Sequence, residues 1–337
     1  MISVVLPARN AAATLPAALD SLAGQTLDDF EVVIVDDGSD DGGATRAVAA
    51  AFSGRDSRFR LLSRPHRGIV AALEAGIAAA RGWAIARMDA DDLCHPDRLL
   101  RQARHLDANP AVGLVSCQVA FGGDARAAQG YQTHIDWCNS LTSYQAIRLG
   151  IFRESPLPHP SVLFRRELID RHGGYRAGDF PEDYELWLRW LEAGVVMDKL
   201  PQTLLTWNDP PGRLSRVDSR YHTEAFFRIK AGYLARFLAR INPCHPRVIV
   251  AGAGRITRRR AERLLDHGIV IEAWLDIDPD KVGKRVAGRP VLPWDAVPGP
   301  EACFVLPYVA CRGATEEILD RLQSRGFVLG QNCLPAA

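Results

Sequence analysis

The stretch ARMDADDLCHPDRL, Ala86 to Leu99, sets Asp89, Asp91 and Asp92 directly behind the apolar run WAIARM. Carboxylates this close repel one another and raise each other's pKa unless a cation or hydrogen-bond donors hold them ionised. Hard oxygen ligands suit Mg2+ or Mn2+. Mg2+ is usually held by one or two carboxylates together with substrate phosphates. A D-x-D bend at a strand end therefore suits a metal-diphosphate site, with the metal as Lewis acid for a departing diphosphate. Asp92 reads either as an alternative ligand or as a cap for the segment HPDRLLRQARHL, where N-terminal acids are favoured.

Two further polar clusters resemble this one in placement, Pro7 to Asn10 and Asp36 to Ser39. Asp, Gly and Ser also mark ordinary turns. That explanation suffices for DDGSDDGG alone, but three such clusters, each directly behind an apolar strand, favour one shared site. The elements that would position them alternate in short units. ISVVLP, FEVVIVDDGS, FRLLSR and WAIARMDADD read as strands. AATLPAALDSLAGQ, DGGATRAVAAAF and GIVAALEAGIAAARG read as helices, the first with Gly24 as its stop. This order predicts a mainly parallel sheet with helices on both faces, in which ligands bind at the carboxyl ends of the strands.

Composition narrows the class. A chain of 337 residues exceeds the size of one ordinary core, so two domains are expected. It is 47% apolar and 24% charged with a formal net charge of +1, and no basic domain appears, which argues against a nucleic-acid partner. Seven cysteines without a CxxC pair point to reduced thiols in a cytoplasmic protein and away from zinc. No secretion signal and no membrane span are expected from the opening MISVVLPARN or from any later apolar run.

The segments VVLPARNAAATLPAALDSLAGQTLDDFEVVIVDDGSDDG, MDADD, LPHPSVLFRRELIDRHGGYR and FPEDYELWLRWLEAG resemble, in order and spacing, the family 2 glycosyltransferases, which have the GT-A fold. The resemblance covers about the first 220 residues. It implies roles residue by residue. Pro7, Ala8 and Asn10 would form the first nucleotide-side loop. Asp37 is similar to the family aspartate that meets the nucleobase, with Asp36 beside it and Glu31 at the start of the same strand. His66, Arg67 and Gly68 stand where the family usually has Asn-x-Gly, which places Arg67 on the donor side. Asp89 would be the ribose-side residue and Asp91 the metal ligand, with Asp89 as second ligand. Asp183 would be the catalytic base, with Glu182 as a supporting or competing carboxylate, since an inverting transfer needs a group that removes the acceptor hydroxyl proton. The same two acids also suit the first turn of a helix whose buried face is Leu186, Trp187, Trp190 and Leu191. His159 would line the pocket. Arg213 and Ser215, in LLTWNDPPGRLSR, would contact phosphate, and Asn208 and Asp209 stand where the family often has a histidine.

After RFLARINPCHPRV, a linker broken by Pro243 and Pro246, a second strand-turn-helix unit begins. Gly252 and Gly254 give GxG without the third glycine of the dinucleotide fingerprint, and Asp276 ends the next strand. The expected architecture is therefore a GT-A domain over 1–240 and a small Rossmann-like α/β domain over 246–337, the latter serving nucleotide binding, docking or homo-oligomer formation. The expected activity is inverting, Mn2+- or Mg2+-dependent transfer from a nucleotide diphosphate sugar, UDP-linked, to a glycan, lipid-linked or small-molecule acceptor hydroxyl. A nucleotidyltransferase and a non-catalytic sugar-nucleotide sensor stand as alternatives. The helix YHTEAFFRIKAGYLARFLARI leaves peripheral attachment at the inner face of the membrane open.

Overall fold

A computed structural model describes residues 1–124, 128–210, 212–311 and 313–337. The chain divides into two compact units, Met1–Ile147 with Pro156–Asp218, and Arg148–Ser155 with Ser219–Ala337.

In the first unit the strands are β1 (Ile2–Ala8), β2 (Phe30–Asp37), β3 (Phe59–Arg64), β4 (Ala84–Arg87), β5 (Leu93–Cys94), β6 (Val112–Phe121), β7 (Leu163–Arg165) and β8 (Val196–Trp207). They form one sheet in the order β3-β2-β1-β4-β7-β6-β8-β5. β3, β2, β1 and β4 run parallel, as do β6 and β8, whereas β7 is antiparallel to both β4 and β6. The helices are α1 (Leu15–Ala23), α2 (Ala44–Arg55), α3 (Ile69–Ala79), α4 (Arg98–Ala108), α5 (Gln129–Ser140), α6 (Tyr144–Gly150), α7 (Glu167–His172), α8 (Glu182–Glu192) and α9 (Leu214–Val217).

Every residue of β1 and β2 is buried, as expected of parallel strands covered on both faces. The alternation of side chains divides the cover. Val4, Leu6, Val32 and Ile34 join Leu15 and Leu19 of α1, Phe52 of α2 and Leu99 of α4 in one cluster. Val33 and Val35 face the other way, onto Ala72 of α3. Gly76 sets how closely α3 lies on the sheet, because a Cβ there would meet Val5 Cγ1 at 2.4 Å. The sheet is therefore mainly parallel with helices on both faces.

One expectation is corrected. Asp92 does not cap the next helix: β5 intervenes, paired with β8 far along the chain, and Asp97 is the N-cap residue of α4. Asp92 is left at the strand end with Asp89 and Asp91.

The second unit holds α10 (Thr223–Ile241), β9 (Arg247–Ala251), α11 (Arg255–Ala261), β10 (Val270–Leu275), β11 (Arg285–Val286), β12 (Arg289–Leu292), β13 (Val305–Pro307) and α12 (Ala314–Ser324). Its sheet has the order β11-β12-β10-β9-β13, parallel apart from the β11–β12 pair. Ile249, Ala251, Ala273, Leu275, Val305, Leu322 and Phe327 form its core. Helix α10 packs within this unit, so the compact units divide at 218/219 and not after 240. Lys230 of α10 gives the physical reason. Its buried Nζ donates to the carbonyls of Phe152 (2.9 Å) and Ala336 (2.8 Å), tying the segment 148–155 and the C-terminus to the helix. Burial pushes this lysine down to about 7.

Candidate active site

The first two polar clusters are stapled to each other at the carboxyl ends of β1 and β2. Pro7 and Ala8 close β1 as buried residues. Asn10, in a left-handed conformation (φ 51°), donates its main-chain N–H to Ser39 Oγ at 3.0 Å and its Nδ2 to Asp40 at 2.5 Å. Asp40 N returns a bond to Asn10 Oδ1 at 3.0 Å. Asp36 is fully buried and accepts from Ser39 N (3.1 Å), Ser39 Oγ (2.6 Å) and Arg46 (3.3 Å). Asp37 accepts from Gly68 N (2.8 Å), Arg67 N (3.1 Å) and His66 Nδ1 (2.8 Å), with Arg64 Nε 3.4 Å away. Gly38 permits this, since a Cβ there would lie 2.4 Å from His66 N and its φ is +68°. Asp37 is thus saturated by the loop after β3, and Arg67 joins that network through its main chain. Glu31 lies at the opposite end of β2, bonded to Ser3 Oγ and Arg81 N at 2.7 Å each, and supports the far edge of the sheet.

Asp89, Asp91 and Asp92 converge as the spacing predicts. One oxygen from each lies within 4.8 Å of the others. Arg98 of α4, wholly buried, braces the strand beneath them by donating Nη2 to the Arg87 carbonyl at 2.9 Å. Asp92 Oδ1 accepts Asn208 N at 2.8 Å, while its buried Oδ2 has no hydrogen-bond partner among the described residues. Burial and the neighbouring Asp89 push Asp91 up to about 6, and burial, Asp89 and Asp91 raise Asp92 well above the carboxylate range. A three-oxygen donor set with an orphaned buried oxygen fits a hard divalent ion. Asn208 Nδ2 donates to the Asp91 carbonyl at 2.5 Å, so the loop after β8 is bonded to the acid cluster.

Asp183 lies in the first turn of α8, whose Trp187 and Trp190 anchor it in the core, Trp190 edge-on to Phe164. Burial, then Glu182, pushes Asp183 up to about 7, and its Oδ1 accepts Tyr184 N at 2.7 Å. His159 opens the turn before β7. Its Nε2 is 2.7 Å from Tyr175 Oη and its Nδ1 is 4.0 Å from Glu182. Burial lowers His159 and raises Tyr175, so a protonated phenol meets a neutral imidazole. One hydrogen bond therefore joins the two rings with neither group charged.

On the loop after β8, the Arg213 guanidinium lies 4.0 Å from the Trp207 ring centroid and 4.0 Å from Asp209, and Arg216 pairs with Asp209 and covers Tyr131. The positive charge of Arg213 acts on Asp91 and Asp92. Ser215 Oγ is buried without a partner among the described residues. Reasoning from the sequence passed over Arg87, Tyr175 and Trp207. Arg87 carried a signal, as the one charge inside the apolar run that forms β4.

The sequence profile of the family described as "Glycosyl transferase family 2" matches residues 3–173. The amylovoran biosynthesis glycosyltransferase AmsE of Erwinia amylovora is 28% identical over 57% of this chain and 69% of its own. The O-antigen biosynthesis glycosyltransferase WbnJ of Escherichia coli is 25% identical over 71% of this chain and 89% of its own. TarS 1–349 of S. aureus, solved in complex with UDP-GlcNAc, has the same fold with a TM-score of 0.50 and 15% identity, covering 79% of this chain and 71% of that one. The matched stretch holds the strand-end loops, the acid cluster and His159, while Asp183 lies beyond it. A transferase is thereby favoured over the nucleotidyltransferase and sensor alternatives, and the chain belongs to glycosyltransferase family 2, with a GT-A fold.

Proposed function

We propose that the first unit transfers a sugar from a nucleotide diphosphate sugar, UDP-linked, to an acceptor hydroxyl with inversion, assisted by Mn2+ or Mg2+. The observation that carries this reading is a pair of acid groups at the carboxyl edge of one sheet. One, Asp89 with Asp91 and Asp92, gathers an oxygen from each within 4.8 Å of the others, with the buried Asp92 Oδ2 unpartnered among the described residues. The other, Asp183, is poised to exchange a proton near neutral pH.

Pro7, Ala8 and Asn10, with the Asp36 and Asp37 loops stapled behind them, form the wall against which the nucleotide lies. Asp91 and Asp89 would hold the metal, which when bound supplies Lewis-acid stabilisation to the leaving diphosphate. Arg213, kept beside the cluster by Trp207, and Ser215, whose hydroxyl has no partner among the described residues, would grip phosphate oxygens. Asp183 takes the proton of the acceptor hydroxyl while that oxygen attacks the anomeric carbon. A carboxyl at about 7 is matched to this task, strong enough as a base and still ionised in part. His159, bonded to Tyr175, stands 4.0 Å from Glu182 on the same side of the site. AmsE and WbnJ are named for polysaccharide synthesis, which supports a growing surface glycan or its lipid-linked precursor as the acceptor. Among the described residues no helix is long and apolar enough to cross a membrane, and such an acceptor would be met at the membrane surface.

The test is to incubate the full chain with UDP- and GDP-sugars, with Mn2+ or with a chelator, and to measure nucleoside diphosphate release and the anomeric configuration of the product by proton NMR. The expected result is UDP release that needs the metal and an inverted anomer. Release unaffected by chelation, or a retained anomer, contradicts the mechanism.

A further inference from the structure

Arg87 closes β4, the strand that leads into the acid cluster, and its side chain is only 5% exposed. Its Nη1 pairs with Asp89 Oδ1, and its Nε finds no hydrogen-bond acceptor among the described residues. A guanidinium cannot shed its proton, so this is a permanent buried charge with spare donors. The topology explains what surrounds it. β4 lies between β1 and β7, Arg87 N donates to Val162 O at 3.0 Å, and the turn just before Val162 carries His159, which holds Tyr175 and faces Glu182. The positive charge is felt on one side at Asp89, Asp91 and Asp92, and on the other at Asp183, Tyr175 and His159.

We propose that Arg87 is a positioning residue shared by the two acid groups: it holds the Asp89 carboxylate in place on the metal side and supplies the counter-charge that keeps Asp183 able to ionise on the acceptor side. This rests on the reading of those groups as the two halves of one transferase site. The groups that face Asp183 are Glu182 on its own helix, Arg87 from β4 and Tyr175 from the loop before α8. Behind them, Glu74 of α3 accepts Tyr175 N at 2.7 Å, and Arg189 pairs with Glu185 one turn along α8. Arg87 is thus the cation that acts on Asp183 directly, opposing burial and Glu182. One charge serving both sites also gives a reason for burying an arginine in a central strand, where a hydrophobic residue would pack without the desolvation penalty.

The experiment uses the full chain labelled with carboxyl-13C aspartate, as wild type, Arg87→Lys, Arg87→Met and Arg87→Gln, with the Asp183 signal assigned by its loss in Asp183→Asn. The Asp183 resonance is titrated against pH, Mn2+ affinity is measured by calorimetry, and melting is followed in parallel. In Arg87→Met and Arg87→Gln the Asp183 titration should move up by about one pH unit, the lower end of what a nearby opposite charge contributes, so that its ionised fraction at pH 7 falls about fivefold. Mn2+ should bind several-fold more weakly once Asp89 loses the partner that holds its carboxylate in place. Arg87→Lys, which keeps the charge, should restore the Asp183 titration. A merely structural arginine would lower the melting temperature in all three and move neither the titration nor the metal affinity. An unmoved Asp183 in the folded neutral variants, or Mn2+ affinity that does not fall, overturns the shared role. Neither readout needs turnover, so a wild type that releases no UDP removes the transferase reading while the titration still decides the case of Arg87.

Discussion

At the carboxyl end of β10, Asp276 is met by its own chain. It accepts Ala253 N at 2.8 Å, Ile277 N at 2.9 Å and Asp278 N at 3.0 Å, with Lys281 Nζ at 3.5 Å. At the carboxyl end of β4, Asp91 and Asp92 crowd Asp89 and each other, with Asn208 N on one oxygen of Asp92 and the charge of Arg213 nearby, and burial still pushes their carboxyls up. Both acids end a parallel strand next to a turn, the position where such sheets bind ligands. The difference lies in who satisfies the charge. In the second unit the protein does so, and the aspartate serves as a brace for the Gly252–Gly254 turn. In the first unit three carboxylates crowd one another, and Asp92 Oδ2 has no hydrogen-bond partner among the described residues. A strand-end aspartate therefore points to chemistry when its environment leaves it unpaired, and its sequence position alone does not distinguish the two cases.

The largest expected effect that sharpens this contrast is at Asp91. Asp91→Asn should weaken Mn2+ binding, read by calorimetry, by more than the ~10–100-fold that loss of an outer-shell partner costs. Metal affinity equal to wild type would remove the cluster from the metal site. Next is the pH dependence of turnover. Because the working form of Asp183 is ionised and its carboxyl is pushed up to about 7, kcat/KM should fall about tenfold for each pH step below that value. A profile flat from pH 5 to 8 would exclude Asp183 as the base.

Asp276→Ala tests the other side. It removes the acceptor of the part-buried Ala253 and Asp278 amides and of the exposed Ile277 amide, at a cost of about 0.5–1.5 kcal/mol for each part-buried bond lost, while UDP release stays at the wild-type rate. Loss of turnover with melting unchanged would mean that the second edge has a functional acid too. The smallest effect is one of stability. A carboxyl whose pKa is higher in the folded state than its ordinary 3.8 holds its proton more tightly when folded, so stability declines as pH rises from that value through about 7, and the full penalty is present above it. Asp183→Asn should therefore melt a few degrees higher than wild type at pH 8 without metal, with the gain shrinking toward pH 4. A lower melting temperature at pH 8 would contradict the burial that sets this carboxyl.

The central strands were legible in the sequence because their apolar runs are buried on both faces, and the three polar clusters because each follows such a run. What escaped was set by contacts distant in sequence. The saturation of Asp37 depends on the loop 64–68 folding back over β2, and nothing in VDDGS announces it. The capping role passed from Asp92 to Asp97 because a two-residue strand pairs with β8, more than a hundred positions away. Helix α10 shows an amphipathic pattern, and such a pattern states that a partner exists without naming it. Its buried Lys230 and the carbonyls of Phe152 and Ala336 place it in the second unit. Arg87 stood in plain view inside WAIARM, but its meaning comes from Asp89 two residues on and from Asp183, which α8 brings near it.

The most direct measurement is Asp183→Asn in the full chain, with Mn2+-dependent UDP affinity and UDP-sugar turnover measured on the same protein. The proton-accepting role predicts turnover lower by ~10²–10⁴-fold, the usual contribution of a general base, with UDP affinity close to wild type. Turnover at the wild-type rate would contradict it.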